Sequence, residues 1–465
     1  MRIGREILGY SLIKLLPAAV MVVMSTIYYK YLIVDEYLFF LSLLAIHLTT
    51  IQVTAGWLGA AQSFYFAKMQ VNTPSLAAIQ KAGMRTNIVL WFVELFVLFI
   101  YTNNLVISAL LVCLTVLQTK IFAVSTQFQL QTQIKKQVEI VFLFSCTLAI
   151  LTFLLIKNYQ VSIVGLILVN VLSATAVLIW INLKPSLEKE KNNPLTTREL
   201  LELLEFTIPM AIWCFLFATN SYFDRYAINY LEYKNDSKNY FFTKELTQGI
   251  LSLLTAPFIM VAHVKIFNNF RIENKQNAER DMREFASFTV AVCLMLMPLM
   301  DVLFDVIIKR FINQNYIHSP AIFLLNYLGI LILCVSMYAQ KGLEVVGNSK
   351  KLAFVIASTL IMQIILNLIF RNSENIVKFA LINIICSILY FVLVVQLGKK
   401  TLYFRFIKNW WFLGLIVVSI LYVVLRTLTE TLELIYKSYF LWSWMAIFAL
   451  LCTRALYSCI KMLSR

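Results

Sequence analysis

The chain has few charged residues for its length. Only 14% of its 465 residues are charged, whereas about 25% is typical of soluble domains. Hydrophobic residues make up 60%, and the mean hydropathy is +0.79. This composition excludes a water-soluble globule of ordinary design and indicates a polytopic membrane protein.

The sequence also lacks the short motifs that mark common enzyme and metal sites. There is no GxxxxGK[ST], GxSxG or HExxH segment, and the three histidines are far apart. Its eight cysteines are scattered without a CxxC pair. ATP hydrolysis, metal catalysis and a disulfide scaffold therefore have no sequence signature, and we expect no cofactor and no bound metal.

Apolar runs are instead the dominant pattern. Because a transmembrane helix needs about 20 apolar residues, with shorter runs tolerated when the ends extend into the interface, we predict an all-α protein with about 14 spans. The predicted spans are 9–29, 37–58, 87–101, 105–118, 140–156, 161–183, 206–230, 240–264, 285–308, 321–340, 352–370, 376–397, 410–424 and 439–460.

Loop charge supports this count. With a cytoplasmic N-terminus, 27 of the 40 lysine and arginine residues fall in inner segments and 10 in outer ones. That bias is the positive-inside pattern and places both termini in the cytoplasm. It also accounts for the net charge of +16 without a nucleic-acid partner.

The spans divide as six, six and two. The longest polar interval, 184–205, follows the sixth span and is interpreted as a cytoplasmic loop between lobes 1–183 and 206–397, with two further spans in 398–465. LLPAAVMVVM around Pro17 and TIPMAIWCFL around Pro209 share their proline spacing, which favours parallel repeats.

Three cations interrupt the apolar runs and are the candidate binding residues. Lys14 lies in the first span, Arg225 near the end of the seventh and Lys244 near the start of the eighth. Charge in hydrocarbon is costly and marks a binding site or pathway by default. A cavity lined by them would suit a phosphate-bearing ligand, since arginine binds phosphate with two parallel bonds and lysine acts as a point charge.

Polar neighbours complete the predicted substrate site. Asn220 and Ser221 lie on the seventh span and Gln248 on the eighth. The structural alternative is that the cations extend to the interface or pair with the adjacent acids Asp224 and Glu245.

Carboxylates in the spans are candidates for ion coupling. Glu94 is the deepest lone carboxylate of the first lobe and a candidate proton carrier, and Asp224 and Glu245 are the others. A hydrogen bond or salt bridge inside the lobe is the alternative for Glu94. Lys341 and Glu344 are interpreted as a solvated inner helix end.

Three segments carry a family resemblance, namely GYSLIKLLPAAVMVVMSTIYYKYLIVDEYLFFLSL, SYFDRYAINYL and TKELTQGILSLLTAPF. They resemble the first, seventh and eighth spans of polysaccharide (O-antigen type, Wzx-like) flippases of the MOP (multidrug/oligosaccharidyl-lipid/polysaccharide) exporter superfamily. The chain departs from the commoner pattern at Asn239-Tyr240, where glycine-tyrosine is usual, and at the residue after Tyr37, where glycine often stands.

The resemblance implies a MATE-like fold in the bacterial inner membrane. It implies alternating-access transport of an undecaprenyl-pyrophosphate-linked oligosaccharide for O-antigen, capsule or exopolysaccharide synthesis. The implied partners are membrane lipids, a polysaccharide polymerase and a chain-length regulator. Two alternatives remain open: a multidrug or small-molecule antiporter of the same superfamily, and a membrane O-antigen polymerase or glycosyltransferase.

Overall fold

The computed structural model describes residues 2–68, 76–131, 133–158, 161–183, 197–230, 234–311, 319–373, 375–406 and 410–428. Within these ranges all regular structure is helical. The helices are α1 Arg2–Tyr31, α2 Val34–Lys68, α3 Leu76–Thr102, α4 Leu105–Leu130, α5 Ile134–Asn158, α6 Ile163–Leu183, α7 Thr197–Tyr230, α8 Lys234–Arg271, α9 Lys275–Phe311, α10 Pro320–Ala339, α11 Lys341–Glu344, α12 Ser349–Ile369, α13 Val377–Gly398 and α14 Trp410–Leu428.

The predicted all-α fold is confirmed. Each of the first thirteen predicted spans coincides with a helix, while the span 439–460 lies outside the described residues. Ten helices in the described ranges are long and apolar enough to cross a membrane, and the stretch Phe412–Thr427 is a shorter apolar helix. Helices are the expected solution because hydrocarbon offers backbone groups no hydrogen-bond partner outside the segment itself.

Several helices are longer than the apolar runs that predict them. The 38 residues of α8 and the 37 of α9 exceed the roughly 20 needed to cross the hydrocarbon core. Helix α7 begins at Thr197, so residues 197–205 of the interval interpreted as a loop are helical. Their leucine and glutamate residues are strong helix formers, which accounts for the earlier start.

The helices form two compact units. The first contains α2–α7 and residues Leu15–Val20 of α1. Here α2 packs against α3, α4 and α7, and α6 packs against α4 and α5. Trp57, Leu58, Ala61, Ile79 and Ala123 form one of its buried apolar clusters.

The second unit contains the rest of α1 and α8–α14. Helix α10 packs against α9, α13 and α14, and α12 packs against α13. Phe258 of α8 contacts Phe288 of α9 with ring centroids 4.9 Å apart. The two units are defined by which helices pack together, whereas the predicted lobes are defined by an internal repeat. The predicted lobe boundaries therefore stay a prediction.

Side chains satisfy backbone groups at two of the described helix ends. Asn104 caps α4 by accepting from the backbone N–H groups of Val106 and Ile107 at 3.0 and 3.2 Å. At the other end of a helix, buried Lys378 donates to the carbonyl groups of Phe370 and Ser373, at 2.9 and 2.8 Å. A cation at the carboxyl end of α12 also complements the helix dipole.

Two glycines bring the α10–α11 junction against the end of α13. A Cβ atom on Gly342 would lie 3.0 Å from the carbonyl oxygen of Gly398 and 3.3 Å from its Cα. Both contacts are with backbone, which cannot rotate away as a side chain can. The absence of a side chain at position 342 is therefore a packing requirement.

We predict that Gly342→Ala destabilises the protein and that Gly414→Ala does not. Overpacking against backbone should lower the free energy of unfolding by about 1–3 kcal/mol. Gly414 has no heavy atom within 4 Å of an added Cβ, so the change there should be neutral or slightly stabilising through helix propensity. Thermal unfolding of the detergent-solubilised variants measures both, and equal melting temperatures would contradict the packing requirement.

Candidate functional site

The candidate residues of α7 form a polar stripe in the first unit. Asn220 and Asp224 are one turn apart, as are Ser221 and Arg225, so the four side chains share adjoining strips of one helix face. Asp224 is 2% exposed and Arg225 5% exposed. The pair of opposite charges is thus held inside the protein.

The Arg225 guanidinium spans from α7 to α2. Its Nη1 donates to the carbonyl oxygen of Leu41 at 3.2 Å, and its Cζ lies 4.7 Å from the centroid of the Tyr222 ring. A charge removed from water is tolerated only when hydrogen bonds and opposite charge compensate it. Arg225 therefore contributes to the α2–α7 interface whether or not it also binds a ligand.

The two polar residues preceding this charged pair differ in their bonding. Ser221 Oγ donates to the carbonyl of Phe217, one turn earlier, at 2.9 Å. The buried Oδ1 of Asn220 has no hydrogen-bond partner among the described residues. Asn220 is consequently a member of this stripe with an unused acceptor.

On α8, in the second unit, Lys244 and Gln248 lie one turn apart and are half-buried. Glu245 adjoins Lys244 and is also half-buried. In the second turn of α8, Asn239 Oδ1 accepts a hydrogen bond from Tyr29 Oη at 2.7 Å. The departure from glycine at position 239 thus supplies a bond between α8 and α1.

The shared cavity expected for Lys14, Arg225 and Lys244 stays a prediction. Lys14 lies on α1, but its side chain is outside the described residues. Arg225 belongs to the first unit and Lys244 to the second. Their individual environments nevertheless differ, since Arg225 is buried and Lys244 is partly exposed.

Glu94 has a partner that the sequence did not assign. Thr115 Oγ1 of α4 donates to Glu94 Oε1 at 2.8 Å and lies 2.8 Å from His47 Nδ1 of α2. The His47 and Glu94 side chains are 2% and 0% exposed, with Nδ1 and Oε1 3.9 Å apart. The threonine hydroxyl has a single proton, so when Thr115 donates it to Glu94, its oxygen accepts from the N–H of His47. The hydrogen bonds then run in one direction, from His47 through Thr115 to Glu94.

Further buried hydrogen bonds follow the same three helices toward one end of the unit. Thr54 Oγ1 lies 2.9 Å from Thr119 Oγ1, and Asn87 Nδ2 donates to the Thr54 carbonyl at 3.0 Å. Beyond them, Gln127 Nε2 donates to Gln80 Oε1 at 3.1 Å. A polar track therefore runs through the helix packing of the first unit.

A sequence signal for this track exists. Gln80, Asn87 and Glu94 recur every seven residues along α3, which places them on one helix face. Taken alone, His47 gave no indication of its role, since one sequence does not show which helices face each other. Reading the polar heptad would have identified the inward face of α3.

Two further charged pairs, both in the second unit, are also bonded internally. Asp301 Oδ2 of α9 accepts from Tyr422 Oη at 2.8 Å and from Arg426 Nε at 3.0 Å, both on α14. The solvated interpretation of Lys341 and Glu344 is wrong, because Lys341 is only 7% exposed and its Nζ donates to Glu344 Oε2 at 2.5 Å. Helix packing around α11 encloses this pair.

No group of three or more metal-ligating side chains occurs in the part of the chain that the structure describes. The polar groups described above are hydroxyls, amides, carboxylates and cationic side chains, and they are spread over several helices. Such an arrangement suits ligand or proton binding through hydrogen bonds.

Comparisons by sequence found no matching family model and no matching curated protein. Comparisons by structure did find matches. The lipid II flippase MurJ in an inward closed conformation superposes with a TM-score of 0.64 at 14% identity, covering 98% of this chain and 99% of that chain.

Multidrug transporters superpose over less of the chain. An inward-facing MATE family transporter of the MOP superfamily gives a TM-score of 0.59 at 12% identity, covering 83% of this chain and 95% of that one. A Vibrio cholerae MATE transporter gives 0.64 at 9% identity, covering 86% and 96%. At these identities the likeness establishes the fold alone, which confirms the predicted MATE-like fold of an all-α, multi-pass membrane protein.

We predict that Arg225→Gln lowers the free energy of unfolding by about 1–3 kcal/mol, because it removes a buried charged donor from the Leu41 carbonyl. Lys244→Gln, at a half-buried position, should change it by no more than about 0.5 kcal/mol. Thermal unfolding in detergent measures both variants. Equal stability of the two would show that the α2–α7 bond contributes little.

Proposed function

We propose that this protein is a flippase that carries an undecaprenyl-pyrophosphate-linked oligosaccharide across the bacterial cytoplasmic membrane by alternating access. The product would serve O-antigen, capsule or exopolysaccharide synthesis. The observation that carries the proposal is likeness to a lipid II flippase along 98% of the chain, compared with 83–86% for the MATE transporters.

The last described helix, α14, is part of the interior of the second unit. Helix α14 is bonded into the second unit through Asp301, which accepts from both Tyr422 and Arg426. Asp301 is fully buried, so α14 contributes to the interior of that unit.

The candidate site has the chemistry that such a substrate requires. A diphosphate needs cations, which Lys244, Arg225 and Lys14 would supply, with Arg225 restricted by its bond to α2. Sugar hydroxyls need amide and hydroxyl partners, for which Asn220, Ser221 and Gln248 are the proposed groups. The prenyl chain can remain in lipid, so the site has to enclose only the polar part.

We assign proton coupling to Glu94 rather than to Asp224 or Glu245. Glu94 is fully buried and linked through Thr115 to His47, the titratable group facing it from α2. From α4 the facing group is the Thr115 hydroxyl, and Lys120 of that helix lies more than a turn further along. Proton uptake by the carboxylate would remove a buried charge, and release would restore it, giving two states of this helix packing.

No feature of the described structure favours either alternative class over the flippase. An antiporter for organic cations would favour acidic groups at the site, and a polymerase would be expected to carry a large external catalytic loop. Polymerase and chain-length regulator remain proposed partners in the pathway that follows flipping.

Deletion of the gene should leave single lipid-linked repeat units in the cytoplasmic leaflet. Accumulation in the periplasmic leaflet would instead indicate a polymerase. Unchanged distribution together with lost efflux of a cationic dye would indicate an antiporter. Leaflet-resolved labelling of the lipid-linked sugar, with dye efflux measured in the same cells, distinguishes the three.

We expect Lys244→Gln to reduce complementation of the deletion by about tenfold or more, because it removes a cation proposed to hold the diphosphate. Lys275→Gln, an equal loss of charge at an exposed position on α9, is the matched control and should complement fully. Equal activity of both variants at equal membrane abundance would remove Lys244 from the site.

Glu94→Gln should abolish the response of flipping to an imposed pH gradient in proteoliposomes. The wild-type rate should change by about fivefold or more with the gradient, in the range of typical coupling between sites. Glu36→Gln makes the same chemical change at an exposed position and should retain the response. A full response in Glu94→Gln would show that His47, Thr115 and Glu94 are structural.

A further inference from the structure

A cationic groove lies on the surface of the first unit, between α3 and α4. Its volume is about 470 Å³, and none of the candidate site residues lines it. Its lining includes the cations Lys81, Arg85 and Lys120 and the apolar side chains Met84, Ile88 and Trp91. The groove thus combines positive charge with apolar walls.

The three cations are close together without an acidic residue in the lining. Lys81 and Arg85 are one turn apart on α3, and Lys120 faces them from α4. Among the described residues none of the three forms an ion pair. Clustered like charges repel one another, so an anion bound here would lower the electrostatic energy of the site.

The groove lies at one end of a membrane span and continues into an apolar surface. The span runs from Ala78 to Thr102, so Lys81 and Arg85 occupy its first two turns. Further along α3, Val89, Phe92 and Phe96 are 65–67% exposed. Large exposed aromatic and aliphatic side chains on this span fit contact with lipid chains.

Trp91 adds a donor at the boundary between the two regions. It lines the groove, and its buried Nε1 has no hydrogen-bond partner in the described part of the chain. Tryptophan is enriched at the level of lipid headgroups because its ring is apolar and its N–H is polar. Its position fits a ligand whose polar end lies over the cations and whose chain runs along α3.

We propose that this groove binds the phosphate headgroup of a membrane lipid. The phosphate lies against Lys81, Arg85 and Lys120, with Arg85 able to engage two of its oxygens, and the hydrocarbon chain lies along the exposed face of α3. The end of α3 that carries these cations is the one predicted to be cytoplasmic. The proposal is independent of the flippase function, since a bulk anionic phospholipid and a polyprenyl phosphate share this chemistry.

The test is lipid binding to the purified full-length protein, measured by native mass spectrometry during titration with phosphatidylglycerol. The variant Lys81→Gln/Arg85→Gln/Lys120→Gln should bind roughly a hundredfold more weakly, because each cation near a charged lipid contributes about a factor of five. The control Lys135→Gln/Lys350→Gln/Lys351→Gln removes three exposed cations elsewhere and should bind as the wild type does.

Competitors identify the source of the phosphate. Displacement of phosphatidylglycerol by undecaprenyl phosphate at lower concentration would support a polyprenyl lipid in the groove, and equal competition would support a bulk anionic phospholipid. Displacement by inorganic phosphate at comparable concentration would overturn the lipid assignment. Phosphatidylglycerol binding that is unchanged in the groove variant would overturn the site.

A variant that misfolds must not be mistaken for one that has lost the site. Arg85→Gln alone serves as the second variant, since an exposed single substitution leaves α3 packing intact. It should weaken phosphatidylglycerol binding by about fivefold with an unchanged melting temperature. Wild-type affinity in Arg85→Gln would contradict the role of the guanidinium.

Discussion

The constraint on which this structure depends is that hydrocarbon supplies no hydrogen bonds. Backbone groups therefore bond within helices, and each buried polar side chain needs a partner inside the protein. Lys378 shows the rule at a helix end, where its ammonium group engages carbonyls beyond the last turn of α12. Arg225 shows it between helices, through the Leu41 carbonyl. The same rule explains why an unused acceptor such as Asn220 Oδ1 is informative.

The charged groups described above occupy three types of environment. Asp301 with Arg426 and Lys341 with Glu344 are compensated pairs that hold helices together. Lys81, Arg85 and Lys120 line a surface groove and have no acid in its lining. The chain from His47 to Glu94 is intermediate, since its charge depends on where protons reside. This distinction separates stabilising interactions from groups available for ligands or coupling.

The sequence predicts the helices well and the contacts poorly. Apolar runs identify helices because the thickness of the bilayer sets the minimum length of a span. The start of α7 at Thr197 is not predicted, because a helical segment that contains many charged residues has the same composition as a polar loop. Lys341 could not be recognised as buried, since its environment depends on how α11 packs against α12 and α13. The link between His47 and Glu94 joins residues 47 positions apart and depends on which helix faces meet. Hydropathy does not show how each helix is rotated about its axis, and so does not show which faces meet.

The bond between α9 and α14 has a consequence for how the chain can be shortened. Asp301 lies in the interior of the second unit, and both of its partners lie after residue 420. A chain ending before Trp410 would keep the carboxylate but lose the tyrosine and arginine that compensate it. Removing a partner from a buried charge typically costs about 3–5 kcal/mol, a large part of the stability of a folded unit. Shortening the chain before Trp410 is therefore expected to lower the stability of the second unit through the loss of these two bonds to Asp301.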